Sequence, residues 1–78
     1  MPTLLRNGPY RFFFFSGEGE EPAHVHVAEG SRAAKFWLEP VELAKVWGFR
    51  AHEIGRLRGL VVEHQAAFLE AWHAHFGR

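Results

Sequence analysis

His24 and His26 are the residues whose type and spacing best suit catalysis or metal binding, and a single valine separates them. On a β-strand, residues two apart point to the same side, so both imidazoles would face one site. That geometry lets two imidazoles share a metal ion or act on one phosphate. A metal site would need a third ligand, and by residue type the candidates are His52, Glu18, Glu20 and Glu21. The pair alone therefore predicts neither a metal nor another cofactor.

Cleavage of RNA without a metal is the catalytic interpretation of this pair. One imidazole would take the proton of a 2′-hydroxyl, and the other would protonate the leaving oxygen. A nearby cation would stabilise the phosphorane. The catalytic candidates are His24, His26, Lys35 and Arg11.

The alternative is that the histidines are half-buried members of a binding surface. Aromatic side chains surround them, and a sheet face this aromatic is costly unless another molecule covers it. The residues that would contact a partner are Trp37, Phe13 and Phe15. We favour this interpretation because two histidines do not define a catalytic constellation.

A second candidate site lies between residues 43 and 57. An alanine followed four residues later by a glycine, and then by spaced apolar residues, matches the packing pattern of a helix-turn-helix. Its second helix would offer four basic residues to DNA, namely Arg50, His52, Arg56 and Arg58. Against DNA binding stand the zero net charge and a second helix that continues about three turns too far.

Short strands separated by turn signals must position the histidines. Residues 3–6 and 10–16 read as strands on either side of an Asn-Gly-Pro turn, and residues 24–29 and 32–38 read as a hairpin joined by Gly30-Ser31. That turn sets His24 opposite Trp37 and His26 opposite Lys35.

The hairpin divides its side chains between two faces. The histidine face carries His24, His26, Ala28, Ala33, Lys35 and Trp37, and the core face carries Val25, Val27, Ala34, Phe36 and Leu38. We expect helices to cover the core face. The preceding strand adds to the histidine face either the set Arg11, Phe13 and Phe15 or the set Tyr10, Phe12 and Phe14.

The apolar spacing becomes helical after Leu38. Pro40 suits the first turn of a helix over residues 40–47, and a longer helix is predicted over residues 51–76. Gly55 and Gly59 either permit close approach of another backbone or are tolerated helix glycines. The predicted fold is α+β: an antiparallel sheet of three to four strands followed by a helical hairpin packed on one face, all in one domain over residues 1–78.

Composition narrows the class of protein. A chain of 78 residues supports one core, and the absence of cysteine excludes disulfides and thiolate sites. No signal peptide and no apolar run that could span a bilayer is visible, which predicts a cytoplasmic protein. Residues 32–58 carry six Lys or Arg against three Glu, so RNA or DNA is a possible ligand despite the neutral total.

Five segments together resemble the bacterial family catalogued as domain of unknown function 4160. They are YRFFFFS (10–16), EPAHVHV (21–27), AKFWLEPVELA (34–44), GF (48–49) and LEAW (69–72). The resemblance implies a compact protein, of a kind often encoded beside another small domain in pairs suggested to act as toxin–antitoxin modules. The expected function is therefore a small interaction protein that binds a partner protein, or itself as a homo-oligomer, through the aromatic histidine face.

Overall fold

The computed structural model describes residues 3–77 as a five-stranded antiparallel sheet followed by two helices. Its elements are β1 (Thr3–Asn7), β2 (Tyr10–Phe13), β3 (His24–Glu29), β4 (Arg32–Leu38), β5 (Val41–Trp47), α1 (Ala51–Glu63) and α2 (Gln65–Phe76), with a single turn of 3-10 helix at Ser16–Glu18. The strands lie in sequence order across the sheet. The predicted α+β class is confirmed, with more strands than predicted; Met1, Pro2 and Arg78 of the predicted domain lie outside the described residues.

The predicted hairpin between β3 and β4 is confirmed together with its register. His24 pairs with Trp37, His26 with Lys35, and Glu29 with Arg32. Gly30 in the connecting turn has φ of 60°, in the left-handed region that favours glycine. Because the turn contains only two residues, its position fixes every pair along the two strands.

The core lies between one face of the sheet and the two helices. Val25, Val27, Ala34, Phe36 and Leu38, the predicted core face, are all buried. Phe12 of β2 joins them because it pairs with Val27. The helices contribute Leu57, Val61 and Phe68 to the same cluster. The opposite face of the sheet therefore has no helical layer over most of its area, and α2 reaches it only at His24, against which Trp72 packs.

The helix predicted over residues 40–47 is wrong, because Val41–Trp47 forms the strand β5. Val41 pairs with Leu38 and Leu43 with Phe36, so both lie on the core face. A bulge at Ala44 then shifts the register, and Lys45 pairs with Lys35. Pairing satisfies the backbone of β4, whose edge would otherwise be open, and this tertiary gain outweighs a short helical pattern.

The helix predicted over residues 51–76 is present but divided at His64. The His64 Nδ1 lies 2.9 Å from the carbonyl oxygen of Leu60, four residues earlier, and its φ and ψ of −104° and 11° are not helical. A side chain that bonds to the preceding turn competes with the helical backbone. Gln65 begins α2 and donates to the carbonyl oxygen of Leu38, which fixes the new direction against the end of β4.

The helix-turn-helix predicted between residues 43 and 57 is also wrong, because its first helix is the strand β5. Gly55 and Gly59 lie in α1, and no other element of the described chain, residues 3–77, comes within 4 Å of where a Cβ would stand. They are thus tolerated helix glycines rather than points of close approach. Neither helix within residues 3–77 has the length and apolar character needed to cross a membrane.

Candidate functional site

The face of the sheet opposite the helices carries most of the residues predicted to function. We call it the open face; it includes Arg6, Arg11, Phe13, His24, His26, Ala28, Ala33, Lys35, Trp37, Glu42, Lys45 and Trp47. The pairing of Phe13 with His26 settles which set of the preceding strand joins the histidines. Phe15 follows the end of β2 and contacts this face through His26, with ring centroids 4.9 Å apart.

A carboxylate completes the histidine pair. Glu18 Oε1 lies 2.9 Å from His24 Nε2 and 3.0 Å from His26 Nε2. His26 Nε2 is also 3.0 Å from the other oxygen, Oε2. We call Glu18, His24 and His26 the histidine–glutamate cluster, and one ligand atom from each lies within 4.8 Å of the others.

His24 is held tightly within this cluster. Its side chain is fully buried, and its Nδ1 lies 2.9 Å from the carbonyl oxygen of Pro22. A carbonyl can only accept, so Nδ1 carries the proton and donates it. The carboxylate oxygen near Nε2 is not aligned for a hydrogen bond, and Nε2 has no hydrogen-bond partner among residues 3–77. A buried nitrogen therefore faces the carboxylate without a partner.

Aromatic side chains enclose His24 from the helical side. Trp72 of α2 lies with its ring centroid 4.9 Å from that of His24. Phe14 and Phe76 pack against Trp72, at 5.4 and 4.3 Å. These rings exclude water from one side of the cluster, and the accessible side is that of Glu18 and His26, whose side chains are each 17% exposed.

The turn at Ser16–Glu18 positions the carboxylate. The backbone N–H of Phe15 donates to Glu18 Oε1 at 3.0 Å. Gly19 lies directly against Phe76, and a Cβ there would stand 2.5 Å from the Phe76 ring. The end of α2 thus packs on the turn that carries Glu18.

The electrostatics of the cluster favour a charged carboxylate and a neutral imidazole. Burial acts to raise the pKa of Glu18, but the Phe15 N–H and the two imidazoles outweigh it and lower the pKa below its ordinary value. Burial lowers the pKa of His26, although Glu18 acts in the opposite direction. At neutral pH, Glu18 is therefore ionised and His26 is neutral.

The two catalytic cations predicted from the sequence lie on the same face but are engaged elsewhere. Lys35 is 9% exposed, and its Nζ lies 2.6 Å from Glu21 and 4.6 Å from the centre of the Trp37 ring. The Arg11 guanidinium lies 4.5 Å from the centre of the Phe13 ring. Each also stands directly opposite a second cation, since Lys35 pairs with Lys45 and Arg11 with Arg6.

The basic residues predicted to contact DNA lie at the start of α1 and on that helix, away from the histidine–glutamate cluster. Arg50, His52, Arg56 and Arg58 are all exposed. The Arg50 backbone N–H donates to Glu53 at 3.0 Å, and Arg58 donates to the carbonyl oxygen of Val41 at 3.0 Å. Glu53 thus caps the start of the helix, and Arg58 ties the helix to the sheet.

Sequence reasoning missed several residues of the site. Glu18 is one of four candidates for a third ligand by residue type, and nothing in the sequence favours it over His52, Glu20 or Glu21. The sequence predicts Trp72 only as part of the helix over residues 51–76, with no indication that it contacts His24. Lys45 and Trp47 were assigned to a helix, so their place on the open face could not be predicted.

The comparison with family models agrees with the resemblance that the five segments indicate. The family model described as Domain of unknown function (DUF4160) matches residues 10–73, from the start of β2 into α2. Neither the curated proteins nor the solved structures include one that matches the chain. The match covers the histidine–glutamate cluster and most of the open face, and the chain belongs to the DUF4160 family.

Proposed function

We propose that this protein is a cytoplasmic interaction domain whose open face binds an acidic partner protein, as one component of a toxin–antitoxin-like pair. The observation that carries this proposal is the presence of two like-charged pairs, Arg6 with Arg11 and Lys35 with Lys45, on one uncovered sheet face. Like charges directly opposite one another destabilise a sheet. A surface that retains such pairs is stabilised when the carboxylates of a partner approach and offset the repulsion.

Few of these cations are neutralised within the chain. Glu21 pairs with Lys35 at 2.6 Å. Among residues 3–77, no carboxylate forms an ion pair with Arg6, Arg11 or Lys45. Arg6, Arg11 and Lys45 therefore form a positive region of the open face, although Glu42 lies on the same face opposite Trp37 and the net charge of the chain is zero.

Exposed aromatic rings supply the apolar part of the surface. Trp47 is 57% exposed and Phe15 44% exposed. Covering the exposed part of Trp47, roughly 140 Å² of mostly apolar area, would contribute about 3 kcal/mol to binding. Tryptophan and arginine are the residues that most often dominate the energy of protein interfaces.

The same geometry gives less support to a homodimer through this face. In a two-fold dimer, each copy presents the same patch to the other. The four cations of one copy would then approach those of the second. A partner with acidic residues avoids that repulsion, so we favour a different protein over self-association.

Single-stranded RNA is also less well matched than an acidic protein. Bases bind by stacking on free ring faces. The Phe13 ring already has Arg11 over it and stacks on His26, with centroids 5.4 Å apart, and Lys35 lies over Trp37. Little stacking surface is left on these two rings.

The metal-independent ribonuclease remains a prediction, and the burial of His24 is the observation against it. An acid or base must reach the proton that it transfers. His24 is fully buried, and Lys35 is held by Glu21. Cleavage would need both side chains to leave their present partners.

The proposal is tested by measuring binding of the protein encoded by the adjacent reading frame. Lys45→Glu and Trp47→Ala change the open face, and Arg56→Glu and Val62→Ala are matched controls at exposed positions of α1. Titration calorimetry should show at least tenfold weaker binding for the first two variants and less than twofold change for the controls.

Three outcomes would contradict the proposal. One is the absence of binding to the neighbouring protein, and another is equal weakening by the control variants. The third is binding of a 20-nucleotide RNA that responds to the same open-face variants, which would identify nucleic acid as the ligand. The affinity for the acidic protein should also fall as salt concentration rises.

A further inference from the structure

We propose that Glu18, His24 and His26 form a binding site for one divalent transition-metal ion of the zinc class. The inference goes beyond the proposed interaction with a partner and does not depend on it. Two imidazole nitrogens and one carboxylate are the ligand types that zinc and related ions prefer, whereas calcium and magnesium favour oxygen alone.

The spacing of the ligand atoms is close to what such an ion requires. In a tetrahedral zinc site, ligand atoms about 2.0–2.1 Å from the metal lie about 3.3 Å from one another. The two nitrogen-to-carboxylate distances here are 2.9 and 3.0 Å, and all three ligand atoms lie within 4.8 Å of one another. Small side-chain rotations would bring all three to one ion.

The state of His24 is an independent observation that points to a ligand. Its Nδ1–H donates to the Pro22 carbonyl, and its Nε2 is buried with no hydrogen-bond partner. An unsatisfied buried nitrogen costs free energy. A histidine that binds a metal commonly donates its other N–H to a carbonyl or carboxylate, which fixes the ring and its tautomer. His24 has that arrangement before any ion arrives.

A cation also removes an electrostatic conflict. Nε2 of His24 lies only 2.9 Å from the Glu18 oxygen, without the alignment of a hydrogen bond. Whenever Nε2 carries no proton, both atoms are acceptors and repel each other at this distance unless a cation lies between them. A metal ion binds both atoms. At His26, the proton on Nε2 would move to Nδ1 or to solvent, which frees Nε2 as the third ligand.

The surroundings determine which side of the ion stays open. Trp72 and Trp37 cover His24, whereas Glu18 and His26 are each 17% exposed. Three protein ligands leave a fourth position for water, as in zinc sites that are not purely structural. That water would face the open side of the cluster, next to His26 and Phe15.

Titration calorimetry of the chelator-treated chain with ZnCl₂ tests the inference without any partner. We expect one zinc ion per chain and at least tenfold weaker binding in Glu18→Gln, a nearly isosteric change that preserves packing. His52→Ala, at an exposed position of α1, is the matched control and should leave the affinity within twofold. If the chain binds no zinc, the proposed interaction with a partner protein is unaffected. Failure to bind the partner protein would likewise leave the zinc site unaffected.

Nitrogen NMR of the imidazoles separates a metal site from a protonated one. Added zinc should shift the Nε2 resonances of His24 and His26, while Nδ1 of His24 keeps its proton. The inference is overturned if the chain binds no zinc, if His52→Ala weakens binding as much as Glu18→Gln does, or if Nε2 of His24 carries a proton with zinc present. Glu18→Gln tests the site even if removal of the buried His24 prevents folding.

Discussion

Replacing Lys45 with glutamate should stabilise the isolated domain while it weakens partner binding. Lys45 stands directly opposite Lys35. With Cβ atoms about 5 Å apart, the two charges are roughly 8 Å apart, and an effective dielectric constant of about 40 gives a repulsion of about 1 kcal/mol. Glu21 beside Lys35 and the exposure of Lys45 reduce this to about 0.5 kcal/mol. Reversing the sign should therefore raise the free energy of unfolding by about 1 kcal/mol.

Denaturant unfolding at low salt and in 1 M NaCl measures this effect. At low salt, a gain of about 1 kcal/mol corresponds to a Tm about 4–8 °C higher for a domain of this size. High salt should remove most of the gain, because the screening length falls to about 3 Å. Lys45→Gln, which removes the charge without reversing it, should give about half the effect. A loss of stability at low salt, or a gain that salt does not change, would refute the cross-strand repulsion.

Three further predictions concern stability. Gly55→Ala and Gly59→Ala should each stabilise the fold by up to about 1 kcal/mol in calorimetry, because alanine favours the helix and nothing in the described part of the chain crowds either position. A loss of stability in either variant would contradict this reasoning. Gly19→Ala should lower Tm, because its Cβ would clash with a phenyl ring of α2, while Gly17→Ala, with open space around it, should not. The Arg50 N–H holds the pKa of Glu53 below its ordinary value. The stabilisation that Glu53 provides is therefore complete above the ordinary pKa and is lost as the pH falls through the lower pKa of the folded state. Acid titration of Glu53→Gln should show a shallower loss of stability than that of the parent protein.

The β3–β4 hairpin was predictable because local chemistry determines it. Gly30-Ser31 leaves room for one two-residue turn, and every cross-strand pair follows from it. The buried and uncovered faces follow from the alternation of residues. Only the neighbouring strand was ambiguous, since phenylalanines occupy both of its faces.

The strand β5 was not predictable because a bulge conceals its alternation. Val41 and Leu43 point to the core two residues apart, but the register shift at Ala44 places Val46 three residues after Leu43. Spacings of two and then three resemble the spacing of an apolar helix face. The choice between a strand and a helix is decided by the edge of β4, which stays unpaired unless residues 41–47 form a strand beside it.

The candidate site was predictable in its strand residues and not in its loop residue. His24 and His26 share a side of the sheet because they are two apart. Glu18 reaches them through a turn held by the Phe15 N–H and by the packing of Gly19 against Phe76. The contact of Gly19 with Phe76 joins segments more than fifty residues apart, so no local pattern in the sequence reports it.

The sequential order of the strands has a consequence for how the chain folds. Every strand pairs with its neighbour in sequence, so each loop that must close is short and its entropic cost is small. The sheet can therefore form early, before α1 and α2 have left the ribosome. Until the helices dock, both of its faces are uncovered, including Phe12 and Phe36 that are later fully buried. During synthesis, this nascent sheet is the state most vulnerable to aggregation, and docking of Leu57 and Phe68 is the step that ends the vulnerability.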